Sequence, residues 1–273
     1  MLDVLQLREI ARLMRAAQDE TRQIEPFTSR IEGFDLPSAY AVAALNHEAL
    51  IAEGHLPVGR KIGFTNPKMW SIYGVREPIW AYVYDTTVTR LATDRATCSI
   101  GRFVEPKIEP EIVLHLRSAP PAGADLRAVL ESVDWVAHAF EIVQSHFPGW
   151  RFQAADTVAD SSLHGTLLVG EPRAVERLAP DPLGALESFR LALACNGEMR
   201  ESGRGANVLG SPLAALAHLV ALLSRQLDFQ PLQVDEIVTT GTITTARSVR
   251  IGALWHTELT GIALPGLTVE FVP

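Results

Sequence analysis

The feature that most constrains the fold of this chain is a change in the pattern of apolar and turn-forming residues at Gly59. From that point, short runs rich in β-branched and aromatic residues are separated by Gly, Pro and Asp, as is typical of strands joined by turns. The runs are RKIGFT, PKIEPEIVLHL, DWVAHAFEIV, GTLLVG, SFRLALACNGEMRES, EIVTTGTITTARSV and LTVEFV. Asn196-Gly197 in the fifth run predicts a hairpin turn. No repeat of fixed period is visible, which argues against a solenoid or a propeller.

The segment before Gly59 carries helical patterns instead. Its apolar residues recur every three or four positions, which predicts a first helix with one apolar face. That face is formed by Val4, Leu7, Ile10, Ala11, Met14 and Ala17. Asp35-Leu36-Pro37 predicts the start of a second helix that ends at Gly54. We therefore predict an α+β fold with a helical N-terminal part over residues 1–57 and a β-rich main domain over residues 58–273.

One helix is also predicted inside the β-rich domain. Ser211 is suited to the N-cap, Pro212 to the first turn, and apolar residues at helical spacing follow as far as Leu227. Its apolar face is formed by Leu213, Leu216, Val220, Leu223 and Leu227.

Charge and cysteine content exclude several classes of function. The formal net charge is -8 and no run of Lys or Arg is present, so a nucleic-acid partner is not expected. Two cysteines, Cys98 and Cys195, are too few for a disulfide framework or a thiolate metal site. The N-terminal residues lack the features of a signal peptide, and no apolar stretch is expected to reach transmembrane length. We expect a cytoplasmic protein that does not bind a membrane.

Three acidic residues are candidates for a metal site. In the run PKIEPEIVL a strand places Glu109 and Glu111 on one face, where either a cation between them or simple exposure on an edge strand explains the pair. Glu141 lies in the apolar run WVAHAFEIV, where an unpaired buried carboxylate is costly. Three carboxylates suit Mg²⁺ or Mn²⁺, which prefer oxygen ligands and usually keep positions open for substrate.

Five stretches together resemble the fumarylacetoacetate hydrolase superfamily, in its branch of 2-oxopent-4-enoate hydratases and 4-oxalocrotonate decarboxylases. They are similar to that branch's motifs and occur in the branch's order across most of the chain: GRKIGFT at 59–65, PKIEPEIVL at 106–114, AFEI at 139–142, DTVAD at 156–160 and LGSPL at 209–213. The resemblance implies a β-rich roll with a helical N-terminal part. It also implies Mg²⁺ or Mn²⁺ held by Glu109, Glu111 and Glu141, with Lys61 as the active-site lysine.

The chain departs from the branch at two places. After DTVAD the branch continues NASS, whereas this chain reads Ser161-Ser162-Leu163-His164, and the branch's EPDFG is replaced by EPIWA at 77–81. His164 is either a general acid or base, or a histidine hydrogen-bonded at the start of the next strand. Because these replacements are larger and more apolar, we expect the far end of the substrate to be apolar or uncharged.

Two hydroxyl residues are candidates for substrate binding. Thr240 belongs to a Thr-Thr-Gly-Thr loop that resembles the family's carboxylate-binding loop, although threonines are also common at strand ends. Ser162 is the second candidate.

The expected function is hydration of a 2-hydroxy-2,4-dienoate, or its 2-oxo-4-enoate tautomer, to a 4-hydroxy-2-oxo acid, as in the meta-cleavage catabolism of aromatic compounds. The alternatives are decarboxylation of a 2-oxo-3-enedioate, hydrolysis of an acylpyruvate carbon–carbon bond, and a non-enzymatic metal-stabilised binding protein. The substrate partner is thus a small 2-oxo acid, and a homo-oligomer is expected.

Overall fold

The computed structural model of the protein describes residues 2–67, 70 and 75–273. Its helices are α1 Val4–Asp19, α2 Phe27–Arg30, α3 Leu36–Ala52, α4 Leu126–Glu131, α5 Ala154–Ala159, α6 Pro182–Ser188 and α7 Pro212–Leu223. Its first seven strands are β1 Pro57–Gly63, β2 Ile79–Tyr84, β3 Val88–Arg90, β4 Arg95–Ser99, β5 Lys107–Leu116, β6 Val133–Val143 and β7 His164–Val169. The other strands are β8 Arg173–Ala174, β9 Arg190–Cys195, β10 Glu198–Arg204, β11 Ile237–Thr239, β12 Arg247–Ser248, β13 Leu254–Thr260 and β14 Thr268–Val272.

The two N-terminal helices form where the sequence predicts them. α1 begins after a capping box between Asp3 and Gln6, and α3 begins after Asp35, whose carboxylate accepts the backbone N–H of Ser38 at 3.0 Å. The buried stripe of α1 is Ile10, Ala11, Met14 and Ala17. The prediction for Val4 is wrong: this side chain is 62% exposed, because the buried stripe begins only with Ile10, in the second turn of the helix.

The strands form two sheets among the described residues. In the larger sheet the order is β2-β1-β11-β5-β6-β7-β3, with β12 beside β5 and β8 beside β6. In the smaller sheet the order is β10-β9-β13-β14-β4. The predicted hairpin is confirmed, since β9 and β10 pair in antiparallel fashion and both Asn196 and Gly197 have positive φ.

Helix α7 is apolar on most of its surface and largely buried. Ser211 caps it as predicted, through a hydrogen bond of 3.1 Å from the backbone N–H of Ala214. The helix ends at Leu223, so the prediction for Leu227 is wrong, and that side chain is 88% exposed.

The apolar segment containing α7 also corrects an expectation about membranes. Gly205–Leu223 is long and apolar enough to cross a membrane by length and composition, with a mean hydropathy of 1.7. In this fold 56% of it is buried against the rest of the protein, as in the core helix of a soluble protein.

The N-terminal helices share their core with the sheets. Met14 of α1 and Val42 of α3 belong to the same buried apolar cluster as Ile112 of β5 and Phe140 of β6. The helices and the sheet are therefore packed around one hydrophobic core, and the division at residue 57 stays a prediction.

The order of the larger sheet brings the candidate side chains together. Strand β11 lies between β1 and β5, and β6 follows β5 on its other side. Lys61 of β1 is paired with Thr239 of β11, while Glu109 of β5 is directly opposite Glu141 of β6. Residues far apart in the sequence thus meet on neighbouring strands.

Candidate active site

A cavity of about 160 Å³ lies beside these strands. Its polar wall includes Lys61, Asn66, Lys107, Glu109, Ser162 and Thr242, and its apolar wall includes Ile62, Phe64, Ile79, Val143, Phe152 and Leu163. A cavity of about 150 Å³ accepts a molecule of roughly six carbon atoms. The space therefore suits a small organic acid.

The three predicted carboxylates converge at this cavity. One oxygen from each of Glu109, Glu111 and Glu141 lies within 4.8 Å of the others. Glu111 and Glu141 are buried, and Glu109 is half-buried and lines the cavity. The alternation on β5 produces this convergence, since Glu109 and Glu111 share one face of the strand while Ile108 and Ile112 enter the core.

Glu111 is held through only one of its two oxygens. Oε2 accepts hydrogen bonds from the Thr239 hydroxyl and, at 2.9 Å, from the backbone N–H of Gly241. Gly241 has a φ of 96° and passes so close to Thr65 that a Cβ would collide with that side chain, so glycine is needed there. Oε1 is buried and has no hydrogen-bond partner among the described residues.

Glu141 is held in the same one-sided way. Its Oε1 lies 3.0 Å from the Lys61 Nζ and 2.7 Å from the His164 Nδ1. Its Oε2 is buried and lacks a hydrogen-bond partner in the part of the chain that the structure describes. Buried carboxylate oxygens without partners are costly unless a cation or a donor meets them.

The charges of this cluster do not balance within the protein. Burial, with a further contribution from Glu141, raises the pKa of Glu109 to about 7. Burial and the two neighbouring carboxylates also raise the pKa of Glu111 well above its usual value. Burial alone would raise the pKa of Glu141, but Lys61 and His164 outweigh it and lower that pKa to about 2.

A divalent cation fits this donor set. When all three carboxylates are ionised, Lys61 is the ammonium in direct contact among the described residues, so the cluster keeps an excess of negative charge that Mg²⁺ or Mn²⁺ would neutralise. The two unpartnered oxygens of Glu111 and Glu141 are hard donors of the kind that these ions prefer.

Lys61 is the predicted lysine and lies within the cluster. Its side chain is buried, and its Nζ donates to the backbone carbonyl of Ser162 at 2.8 Å. Burial by itself lowers the pKa of Lys61, but Glu141, Glu109 and Glu111 outweigh that effect and raise it. An ammonium group therefore lines the cavity next to the carboxylates.

Ser162 faces the same cavity. It lies in a short left-handed segment in which Ser161, Ser162 and Leu163 all have positive φ, a conformation that non-glycine residues rarely adopt. This turn directs the Ser162 carbonyl to Lys61 and leaves the Ser162 hydroxyl buried without a hydrogen-bond partner among the described residues. The hydroxyl is thus available to a ligand.

The structure does not bring Thr240 to the cavity. Its hydroxyl is fully buried and donates to the carbonyl of Ile112 at 2.9 Å, so it secures the loop to β5. Two residues later, Thr242 lines the cavity, and its hydroxyl is buried with no partner among the residues described. The loop identified in the sequence is therefore part of the site, but through Gly241 and Thr242.

The two departures from the family motifs lie in different places. Ile79 and Leu163 line the cavity. Trp80 does not: it is stacked on Tyr40 at a ring distance of 5.7 Å and leaves the cavity free. His164 lies behind Glu141, outside the cavity wall.

Sequence reasoning missed a second cation in the cavity wall. Lys107 shares the face of β5 that carries Glu109 and Glu111, and its Nζ lies 3.7 Å from the centre of the Trp150 ring. The indole of Trp150 is fixed by donating to the carbonyl of Glu105 at 3.1 Å. The spacing of two between residues 107, 109 and 111 could have predicted that Lys107 lies on the same face of the strand as the two acids. The position of Trp150 could not be predicted in this way, because it depends on a left-handed turn.

Comparison with known proteins identifies the family of this chain. The sequence model for the fumarylacetoacetate (FAA) hydrolase C-terminal family matches residues 74–269. The 2-keto-4-pentenoate hydratase 2 of Dechloromonas aromatica (strain RCB) is 30% identical over 253 residues, which cover 92% of this chain and 93% of the relative.

Two solved structures share the fold. The 4-oxalocrotonate decarboxylase from Pseudomonas putida G7, complexed with magnesium and adipate, is similar with a TM-score of 0.91 and 24% identity, covering 100% of this chain and 99% of that one. The fumarylpyruvate hydrolase from Pseudomonas aeruginosa, in complex with Mn²⁺ and pyruvate, has a TM-score of 0.57 and 17% identity over 80% of this chain and 90% of that one. The predicted fold class is confirmed, and the chain belongs to the fumarylacetoacetate hydrolase family.

Proposed function

We propose that the protein is a divalent-metal-dependent hydro-lyase that hydrates a 2-hydroxy-2,4-dienoate, or its 2-oxo-4-enoate tautomer, to a 4-hydroxy-2-oxo acid. The observation that carries this proposal is the cluster of Glu109, Glu111 and Glu141 beside a small cavity, with the Lys61 ammonium in contact with Glu141. A relative that is 30% identical over almost the whole chain is named a 2-keto-4-pentenoate hydratase, which supports the same reaction. Such a reaction belongs to the meta-cleavage catabolism of aromatic compounds.

The proposed metal is Mg²⁺ or Mn²⁺, held by Glu109, Glu111 and Glu141. When bound, it supplies a Lewis acid that polarises the 2-oxo group and favours the enolate. The unpartnered oxygens of Glu111 and Glu141 support this assignment.

The protein's own groups bind the substrate and handle protons. Lys61 holds a proton at Nζ beside the cluster and is our candidate for proton transfer to the substrate. We assign the hydroxyls of Ser162 and Thr242 to a substrate carboxylate, because both residues line the cavity and neither hydroxyl has a hydrogen-bond partner among the described residues. In the net reaction, water adds across the C4–C5 double bond of the 2-oxo-4-enoate. Its hydroxyl bonds to C4 and its remaining proton bonds to C5.

The shape of the cavity favours an enzyme over a metal-stabilised binding protein. In a scaffold of that kind, large side chains such as Trp80 would fill the space next to the carboxylates. Trp80 is packed against Tyr40 instead, and the cavity keeps about 160 Å³. Its apolar wall accommodates the hydrocarbon part of a dienoate and limits access of bulk water.

A direct assay tests this function. With Mg²⁺ present, purified protein is expected to remove the ultraviolet absorbance of 2-hydroxypenta-2,4-dienoate and to form 4-hydroxy-2-oxopentanoate, identified by NMR. Release of CO₂ from a 2-oxo-3-enedioate without hydration would favour the decarboxylase. Pyruvate release from an acylpyruvate would favour the carbon–carbon hydrolase.

Metal binding is expected to stabilise the fold. At a metal concentration 100 times the Kd, a ligand that binds only the folded state contributes about 2.7 kcal/mol. For a domain of this size the melting temperature then rises by roughly 5 to 10 °C. Differential scanning calorimetry with Mn²⁺, with excess EDTA, and with NaCl at matched ionic strength measures the effect. Equal melting temperatures in all three conditions would contradict a cation site in the cluster.

Lys107 is expected to assist substrate capture. The protein carries a net charge of -8, and this half-buried ammonium makes no ion pair with any acid among the described residues. Lys107→Gln should raise KM roughly three- to tenfold and leave kcat unchanged, because the lost attraction acts on approach and binding. The dependence of kcat/KM on ionic strength should also weaken.

Arg151→Gln is the matched control for Lys107→Gln, because Arg151 is an exposed cation beside Trp150 that does not line the cavity. An equal rise in KM for both variants would show that only the overall charge matters.

Location and assembly remain part of the proposal. We place the protein in the cytoplasm, as expected for an enzyme that acts on small soluble acids, and expect a homo-oligomer. Sedimentation velocity of the purified protein measures the second point.

A further inference from the structure

His164 is fixed at both of its ring nitrogens. It is the first residue of β7, and its side chain is only 4% exposed. Nδ1 lies 2.7 Å from the Glu141 Oε1, and Nε2 lies 2.9 Å from the Thr87 Oγ1. An ionised carboxylate can only accept a hydrogen bond, so Nδ1 carries a proton and donates it to Glu141.

Thr87 is itself tied to the sheet. It directly precedes β3, and its carbonyl accepts the backbone N–H of Leu167 at 2.8 Å and the hydroxyl of Thr166 at 2.9 Å, both on β7. Its own hydroxyl also lies 3.1 Å from the carbonyl of Tyr84. Thr87 is therefore a rigid support for the His164 ring.

These contacts leave the two carboxylate oxygens of Glu141 in different environments. His164 and Lys61 both occupy Oε1, whereas the buried Oε2 has no partner among the residues described. If His164 were absent, Lys61 would be the side chain left to hold this carboxylate among the described residues. The carboxylate could then rotate and present its oxygens differently to the cluster.

We propose that His164, supported by Thr87, is a positioning residue that orients Glu141 and keeps its Oε2 available to the metal. This inference rests on the proposed function, and it replaces the expectation that His164 transfers protons to the substrate, since the ring lies outside the cavity wall. His164 lies where the branch motif that this chain resembles has a serine. Groups that orient a metal ligand contribute about 10- to 100-fold to metal affinity.

Two isosteric substitutions separate the two contacts of the ring. The amide nitrogen of asparagine takes approximately the place of Nδ1, so His164→Asn keeps a donor to Glu141 and loses the contact to Thr87. The amide of glutamine takes approximately the place of Nε2, so His164→Gln keeps the contact to Thr87 and loses the donor to Glu141. Thr87→Val removes the support without touching Glu141.

Titration calorimetry with Mn²⁺ on the full chain is the primary readout, with the metal-free melting temperature as a check of folding. We expect His164→Gln to weaken Mn²⁺ binding 10- to 100-fold, Thr87→Val to weaken it by a smaller factor, and His164→Asn to stay within about threefold of the native protein. At saturating Mn²⁺ the kcat of His164→Gln should recover to within about threefold of the native value, because a positioning role is satisfied once the metal is bound.

Three results would overturn the inference while leaving the proposed function intact. Unchanged Mn²⁺ affinity in His164→Gln and in Thr87→Val would show that the ring does not position Glu141, and an equal loss in the asparagine and glutamine variants would show that the donor to Glu141 is not the cause. A kcat of His164→Gln that stays at least 100-fold low at saturating Mn²⁺ would assign proton transfer to His164. If the native protein binds no Mn²⁺, the proposed function fails and this inference falls with it.

Discussion

Glu111→Gln is expected to abolish metal binding and to lower turnover by about a thousandfold or more. The reason lies in the donors that hold this side chain. Thr239 and Gly241 both donate to Oε2, so a glutamine would place its amide oxygen there and its NH₂ group at the position of Oε1. An NH₂ group cannot bind a metal ion and would direct its partial positive charge at the site.

The control for this substitution is Glu270→Gln, which makes the same chemical change at an exposed position of β14 in the smaller sheet. Calorimetric titration with Mn²⁺ and turnover of the dienoate measure both proteins. Glu270→Gln should match the native protein in both. Full Mn²⁺ affinity in Glu111→Gln would rule out Glu111 as a ligand.

Lys61→Met is expected to lower kcat by roughly 10²- to 10⁴-fold, the range for a lost general acid or base. Methionine fills a similar volume but has no proton to transfer and no charge. The melting temperature in saturating Mg²⁺ should fall far less than activity does, because the bound cation compensates most of the negative charge of Glu109, Glu111 and Glu141.

The same comparison without metal sharpens the test of Lys61. In excess EDTA the substitution removes the Lys61 ammonium from its contact with Glu141, so the metal-free protein should be destabilised more than the metal-loaded one. Turnover and calorimetry in both conditions give the result. Equal proportional losses of activity and stability in saturating Mg²⁺ would assign Lys61 a structural role.

The carboxylate cluster could be predicted because local rules place it. A strand period of two puts Glu109 and Glu111 on one face, and a charged residue in the apolar run around Glu141 calls for compensation. Residue spacing could not assign Lys61 of β1 to the same site. The resemblance to the family motifs made that assignment.

The side chains that complete the site could not be read from periodicity. Ser162 and Trp150 lie in left-handed turns, where the direction of a side chain depends on φ values that no repeating pattern encodes. Thr240 and Thr242 are both threonines, two positions apart, so the sequence cannot tell which of them lines the cavity. The hydrogen bond from the Thr240 hydroxyl to the carbonyl of Ile112 distinguishes the two.

The support for His164 also lies beyond sequence reasoning. Its partner Thr87 is 77 positions away and reaches the imidazole because β3 and β7 pair in parallel at the edge of the sheet. The sequence identified His164 as unusual, but its contacts follow from strand order alone.

The most direct test of this account is a crystal of the protein soaked in Mn²⁺ and measured for anomalous scattering. The account predicts one strong anomalous peak within bonding distance of carboxylate oxygens of Glu109, Glu111 and Glu141, with the peak lost in Glu111→Gln. A strong peak elsewhere in the molecule, with none among these three carboxylates, would contradict it.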